Sequence, residues 1–329
     1  MKKILLNIRR EDFENMKPVL EDLNFIIIAK DAKLIQAKVF VPDADIDEVI
    51  EKLREPLDLR FKENLIEVST PDFVISSTLS RIDKKKTNEK TPVEQLISTA
   101  DNYSCVDYWT LLLTAIAGLI ALTGLFLNNV PIVIGAMLLC PLLGPIHSFA
   151  IYSATGKTRE ALQSLSVLFI FLGLVFIVSV LATFLLGTIY GFISGGDFSL
   201  ILTEEILLRT GSSPIYIIMA VLLGIASMIA LTKGFSESIA GVAVAAALLP
   251  PTVVAGISLV MINDKILGAI LLALDNVIGL VAGAMIATLI IGVAPRRGEE
   301  QRVAKHFIKR AVAIIIILIA LLSLLSYLF

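Results

Sequence analysis

Residues 134–150 read IGAMLLCPLLGPIHSFA, and this stretch decides the fold. It lies in an apolar run long enough to span a bilayer, yet Pro141 and Pro145 fall four residues apart within it, and His147 follows. Proline has no N–H, so Pro141 removes the helical partner of the Met137 carbonyl, and Pro145 is expected to do the same to the carbonyl of Pro141. In hydrocarbon no water replaces the lost bond, so something must satisfy each freed carbonyl: a neighbouring side chain, water in a cavity, or a cation. The alternative is a pair of proline kinks that only shape packing.

Working outward, the chain is 56% hydrophobic, with a mean hydropathy of +0.85, far too apolar for a soluble globular protein. Residues 1–95 are dense in Lys, Arg, Asp and Glu, whereas 109–329 are apolar runs separated by short polar joints. This asymmetry predicts a soluble N-terminal domain followed by a membrane domain. The net charge of −2 and the lack of a basic, aromatic-rich patch argue against a nucleic-acid partner. The two cysteines, Cys105 and Cys140, supply neither a disulfide framework nor a zinc spacing, and no metal or cofactor is expected. The opening MKKILLNIRREDFE has too short an apolar core for a secretory signal, so the first membrane helix is expected to direct insertion.

The soluble region, placed at 1–75, alternates in period. Strands are predicted at 3–8, 25–30, 34–41 and 64–69, and helices at 11–23 and 45–53. The order β-α-β-β-α-β is that of a ferredoxin-like α+β domain, suited to sensing a ligand, to assembly, or to plain capping. Residues 76–108 form a linker and an amphipathic helix. Within them TPVE (91–94) offers Thr91 as cap, Pro92 at the first helical position and Glu94 to close a capping box. Tyr103, Tyr108 and Trp109 suit the headgroup level.

Crossing the bilayer takes about 20 apolar residues, and about seven spans are predicted, near 109–127, 131–155, 165–190, 214–232, 239–262, 266–293 and 311–328. With the N-terminal domain cytoplasmic, the inner joints collect Lys157, Arg159, Lys233 and the basic loop 296–310, while the outer joints hold only Arg209 and Lys265. The positive-inside rule thus places the protein in the cell (inner) membrane with its C-terminus outside. AMLLCPLL (136–143) in the second span parallels AALLPPTV (246–253) in the fifth, each the middle helix of three. Residues 109–293 therefore read as two inverted three-helix repeats with matching interrupted helices, followed by the loop and C-terminal helix of 294–329.

The motifs IGAMLLCPLLGPI (134–146), GVAVAAALLPPTVVAGISL (241–259) and EILLRTGSSP (205–214), with Asn276, resemble a known family. It is the "uncharacterised hydrophobic domain" membrane proteins of prokaryotes, domain of unknown function 389. The resemblance covers about 100–295. It implies a multi-span helical fold, often with a small N-terminal domain, and no established activity.

Ionisable groups inside a membrane are costly and mark function by default. Asp275, about ten residues into the sixth span, is the foremost candidate for a proton or cation site, with Asn276 beside it; a protonated interhelical hydrogen bond is the plainer role. Gly279, Gly283 and Ala287 form a stripe expected to pack helices. His147 is a candidate proton relay or a hydrogen-bonding residue. The expected pathway combines Pro141, Gly144, Pro145 and His147 with Pro250, Pro251, Thr252, Asp275 and Asn276. Glu205, Arg209 and Glu237 are gate candidates; the first two are spaced for a helix-surface ion pair, and the third suits a helix N-terminus. The Phe-rich third span and the Ile/Leu-rich seventh are expected to face lipid.

These features favour a transporter or channel for a small ion or polar solute, with a cytoplasmic regulatory or assembly domain and a homo-oligomeric state. A membrane sensor or scaffold that moves nothing is the alternative. An intramembrane enzyme built on Cys140, His147 and Asp275 lacks nucleophile–base geometry in any motif, and no enzyme is expected.

Overall fold

The computed structural model describes residues 2–23, 25–31, 33–41, 45–69, 93–103, 106–194, 202–233, 237–293 and 298–328. The chain divides into two compact units, Met1–Pro92 and Val93–Phe329.

The first unit runs β1 (Lys2–Arg9), α1 (Arg10–Asp22), β2 (Ile26–Lys30), β3 (Leu34–Val41), α2 (Ile46–Arg54) and β4 (Leu65–Ser69). The sheet order is β2-β3-β1-β4, antiparallel throughout, as the split β-α-β-β-α-β unit requires. Alternation sets which face is covered: Ile4, Leu6 and Ile8 of β1 pair with Val39, Ala37 and Ile35 of β3, all buried. Phe13, Met16 and Leu20 of α1 and Ile46, Val49, Ile50 and Leu53 of α2 complete that core. A polar lock closes one end. Asn64 accepts from the Arg9 N–H at 2.9 Å and donates to Asp12 and to the Asp58 carbonyl, while the Arg9 guanidinium lies 3.7 Å over the Phe61 ring. Nearby, the side-chain bond from Arg60, then the Arg60 backbone N–H, hold the Asp58 carboxyl down at about 2.

The second unit is helical: α3 (Val93–Tyr103), α4 (Tyr108–Phe126), α5 (Val130–Leu139), α6 (Leu143–Thr155), α7 (Thr158–Ser194), α8 (Glu204–Leu207), α9 (Pro214–Thr232), α10 (Glu237–Met261), α11 (Ile266–Ile291) and α12 (Gly298–Leu328). Among the described residues six helices are long and apolar enough to cross a membrane, and α5 with α6 would make a seventh as a pair bent by 48°. The predicted helix 92–108 is interrupted. α3 ends at Tyr103, and a new helix starts at Tyr108 because the Asp107 side chain accepts from the Thr110 N–H at 2.9 Å, an N-cap the sequence pattern did not reveal. The expected TPVE cap falls partly on Thr91 and Pro92, outside the described residues, as do the linker 76–90, Cys105, Ser236, Arg296 and Arg297.

α10 and α11 form the centre, 78% and 72% buried over their apolar stretches, whereas only 6% of the α12 stretch is buried, as its Ile/Leu composition foretells. α7 turns Phe169, Phe184 and Phe192 outward. α9 and α11 meet at glycines. A Cβ on Gly279 would lie 2.6 Å from that of Ala220, so the predicted small-residue stripe serves close packing.

Candidate functional site

The site is assembled from proline-bearing segments that behave differently. At Pro141 the helix stops. Cys140 is extended (φ −84°, ψ 122°), the conformation that a following proline imposes, Leu142 has already returned to helical dihedrals (φ −73°, ψ −18°), and the next helix begins at Leu143. Pro145 does not contribute a break. It is the third residue of α6, in the first turn, where backbone N–H groups have no helical partner in any case. The Pro141 carbonyl therefore loses nothing to Pro145, contrary to expectation.

Gly144 lets α3 approach: a Cβ there would fall 2.8 Å from the Cβ of Tyr103. α3 lies along α6. The Ser148 hydroxyl donates to the Ala100 carbonyl at 3.0 Å, the Tyr152 hydroxyl donates to Asp101 at 2.6 Å, and Leu96 and Ala100 are buried in the bundle core. The helix expected along the membrane surface is thus a packing partner of the broken span.

At Pro250 and Pro251 the outcome is the opposite. α10 continues as one helix from Glu237 to Met261, with both prolines inside it. Pro251 cannot donate to the Ala247 carbonyl, and the Asn276 side-chain amide does so instead, at 2.7 Å from α11. Thr252, buried, donates its hydroxyl to the Leu248 carbonyl at 2.7 Å. Asn276 is therefore the side chain that satisfies a freed carbonyl, one of the solutions expected for a proline in a membrane helix.

Asp275, its neighbour, is fully buried. It lies nine residues from the start of α11, about 14 Å along the axis at 1.5 Å per residue. One carboxyl oxygen accepts from the Ser212 hydroxyl; the other has no hydrogen-bond partner among the described residues. No cation among them lies within ion-pair distance of Asp275, and the Oδ1 of Asn276 is also buried without a partner. Ser212 lines a cavity of about 250 Å³ together with Thr210, Asp264, Lys265, Leu271 and Ser326. That is far more than the roughly 10–15 Å³ that one water needs.

His147 is buried on α6, and its Nε2 lies 3.0 Å from the Ser227 hydroxyl of α9. The Gly224 carbonyl is also 3.0 Å from the Ser227 hydroxyl, and the donor and acceptor roles between Nε2 and Ser227 follow the imidazole tautomer. Nδ1 is buried with no partner among the described residues. Glu205 and Arg209 form the predicted ion pair, 2.5 Å apart, beside α8. Glu237 opens α10, and its side chain lies outside the described residues. The structure brings Asn276 to the proline segment of α10, sets Asp275 against Ser212 and joins His147 to α9. It shows no contact between His147 and Asp275. Ser212 and Ser227 were missed as site residues. Ser212 sits in the quoted EILLRTGSSP segment, and Ser227 is a hydroxyl inside an apolar span, a weak signal.

"Uncharacterized protein MJ0678" of Methanocaldococcus jannaschii is 24% identical over 249 residues, 74% of this chain and 74% of that protein. No solved structure matches the chain. Residues 137–282 hold the Pro141 break, the Pro250–Pro251 pair, Ser212, Asp275 and Asn276, and it is this part of the chain that matches the family model described as "Domain of unknown function (DUF389)", bearing out the resemblance carried by its motifs.

Proposed function

We propose that the protein is a non-enzymatic transporter or channel of the cell membrane for a small ion or polar solute, with the N-terminal α+β domain as a cytoplasmic regulatory or assembly module. The observation that carries this reading is the helix break at Cys140–Leu142 within a membrane-capable pair. Non-helical backbone at membrane depth is tolerated where it is buried in protein or lines a cavity, and interrupted helices mark transporter sites. The buried Asp275 on a central helix supports it.

Seven spans in two inverted three-helix repeats plus one give the architecture of this proposal, with the N-terminal domain inside and the C-terminus outside. The joints support it by falling together. The Thr203 hydroxyl donates to the Leu125 carbonyl, Asn128 accepts from the Glu205 N–H, and one cavity gathers residues 210–212, 264–268 and 326. All of these are outer joints in the seven-span topology. Self-association in the membrane fits the same proposal.

A sensor or scaffold that moves nothing is the second reading. It is favoured by one specific observation, the repair of α10 by a protein side chain, that of Asn276. Ion and proton flux into liposomes holding the purified protein separates the two. Transport predicts protein-dependent flux that is lost in folded Asp275→Asn and in the Pro141→Ala/Pro251→Ala double variant. Silence across a broad panel of ions and polar solutes, with folding verified, would favour the scaffold.

A further inference from the structure

We propose that Asp275 is a proton-exchange site, loaded from the cavity beside it through the Ser212 hydroxyl. The inference deepens the transport reading by naming its ion.

A carboxylate at mid-helix depth, out of contact with water, needs compensation. The packed elements bring none. α9 has only Tyr216 among titratable groups, α10 has no charged residue from Ala240 to Met261, and α12 has none from Ala311 to Ser326. α6 contributes His147, whose ring bonds Ser227 rather than Asp275. The charges that line the cavity are Asp264 and Lys265, on the turn before α11, and Arg209 is held by Glu205. The compensating charge must therefore come from solvent, as a proton or as a metal cation.

Ligand count decides between them. A hard cation takes six or more oxygen ligands. Among the described residues no group of three or more His, Cys, Asp or Glu stands ready to hold a metal ion, and the hydroxyl of Ser212 already points its hydrogen at the Asp275 carboxylate. The group is built to receive one small charge at an oxygen, and a buried oxygen without a partner is present on the same carboxyl.

The hydroxyl also supplies the route. Ser212 lines the cavity and donates to Asp275 Oδ2. A hydronium ion in the cavity passes a proton to Ser212 Oγ as the Oγ–H proton passes to Oδ2. The hydronium becomes water, the serine keeps one hydrogen, and the carboxylate becomes a carboxylic acid. Release runs the same transfers backwards.

The test is infrared difference spectroscopy between acidic and alkaline buffer on the full-length protein in lipid, reading the carboxyl C=O stretch. The expected result is a band that shifts in D₂O and disappears in Asp275→Asn. In Ser212→Ala the band persists at a changed frequency, because its hydrogen bond is gone, and it appears more slowly after a pH jump. Asp275→Glu guards against a folding defect, since it moves the band rather than deleting it. Adding sodium or potassium at constant pH leaves the band unchanged. A pH-difference spectrum identical in wild type, Asp275→Asn and Asp275→Glu overturns the proposal, and a band abolished by sodium or potassium reassigns the site to a metal cation. A titrating Asp275 in a protein that passes no ions would leave this inference standing and sink the transport reading alone.

Discussion

The Pro141 and Pro250–Pro251 sites present the same chemistry with opposite results. Proline removes a backbone donor at both, and at both it presses the preceding residue toward an extended backbone. At Pro141 the chain yields: Cys140 extends, and α5 and α6 part at 48°. At Pro250 and Pro251 the helix holds from Glu237 to Met261. The difference lies in the neighbours. α10 sits at the centre of the bundle, and Asn276 from α11 donates to the carbonyl that Pro251 leaves without a helical partner. A proline in a membrane helix is thus a demand for a donor, and the surrounding helices determine whether that demand breaks the helix.

The largest expected effect comes from removing that donor. Asn276→Ala leaves the Ala247 carbonyl buried and unmet and should cost about 1–3 kcal/mol in unfolding measured in detergent. Pro251→Ala restores a backbone N–H for the same carbonyl. In that background the Asn276→Ala cost should shrink by about 1 kcal/mol. Strict additivity of the two changes would break the comparison.

A second variant probes the broken side. Gly144→Ala places a methyl 2.8 Å from the Tyr103 Cβ, too close for either helix backbone, so α3 and α6 must separate. The expected loss is about 1–3 kcal/mol, with faster hydrogen exchange in 93–103 than in α10. Equal acceleration in both regions would show that the two proline segments form one cooperative unit rather than two.

The smallest effect lies in the N-terminal domain and serves as a control. Arg60→Ala removes the bonds that hold Asp58 at about 2, so its midpoint should rise toward 3.8, read by carbon NMR of labelled aspartate in the intact protein. The native pKa is depressed, so the stability linked to Asp58 is complete above about pH 4 and is lost as pH falls through about 2. Neither Asn276→Ala nor Gly144→Ala should move this titration.

Local patterns made the N-terminal domain legible. Leu34–Val41 was bounded correctly because residues alternate between two faces and Pro42 ends the run. Close helix packing along one face of α11 followed from the spacing of Gly279 and Gly283, but that α9 is the helix that fills it did not. The continuity of α10 was not legible, because it depends on an amide 29 residues away. Asp275 stood out as an acid in an apolar run, whereas its partner Ser212 lies 63 residues earlier in a polar joint where a serine is unremarked. Pro145 was misjudged for a different reason: its effect depends on where the new helix begins, and one residue of shift at Leu143 would change it.

The placement of α3 has a mechanical consequence. The chain ahead of Val93 runs directly into this helix, which holds α6 by the Tyr152–Asp101 and Ser148–Ala100 bonds and by the seat of Tyr103 on Gly144. Tension on that upstream chain reaches α3 before it reaches the first span, and it loads those bonds before any other part of the bundle. The bent pair α5–α6 is therefore the first part of the bundle to meet such a pull, and the intact α10 lies beyond it, so the load is felt first where the helix is already cut.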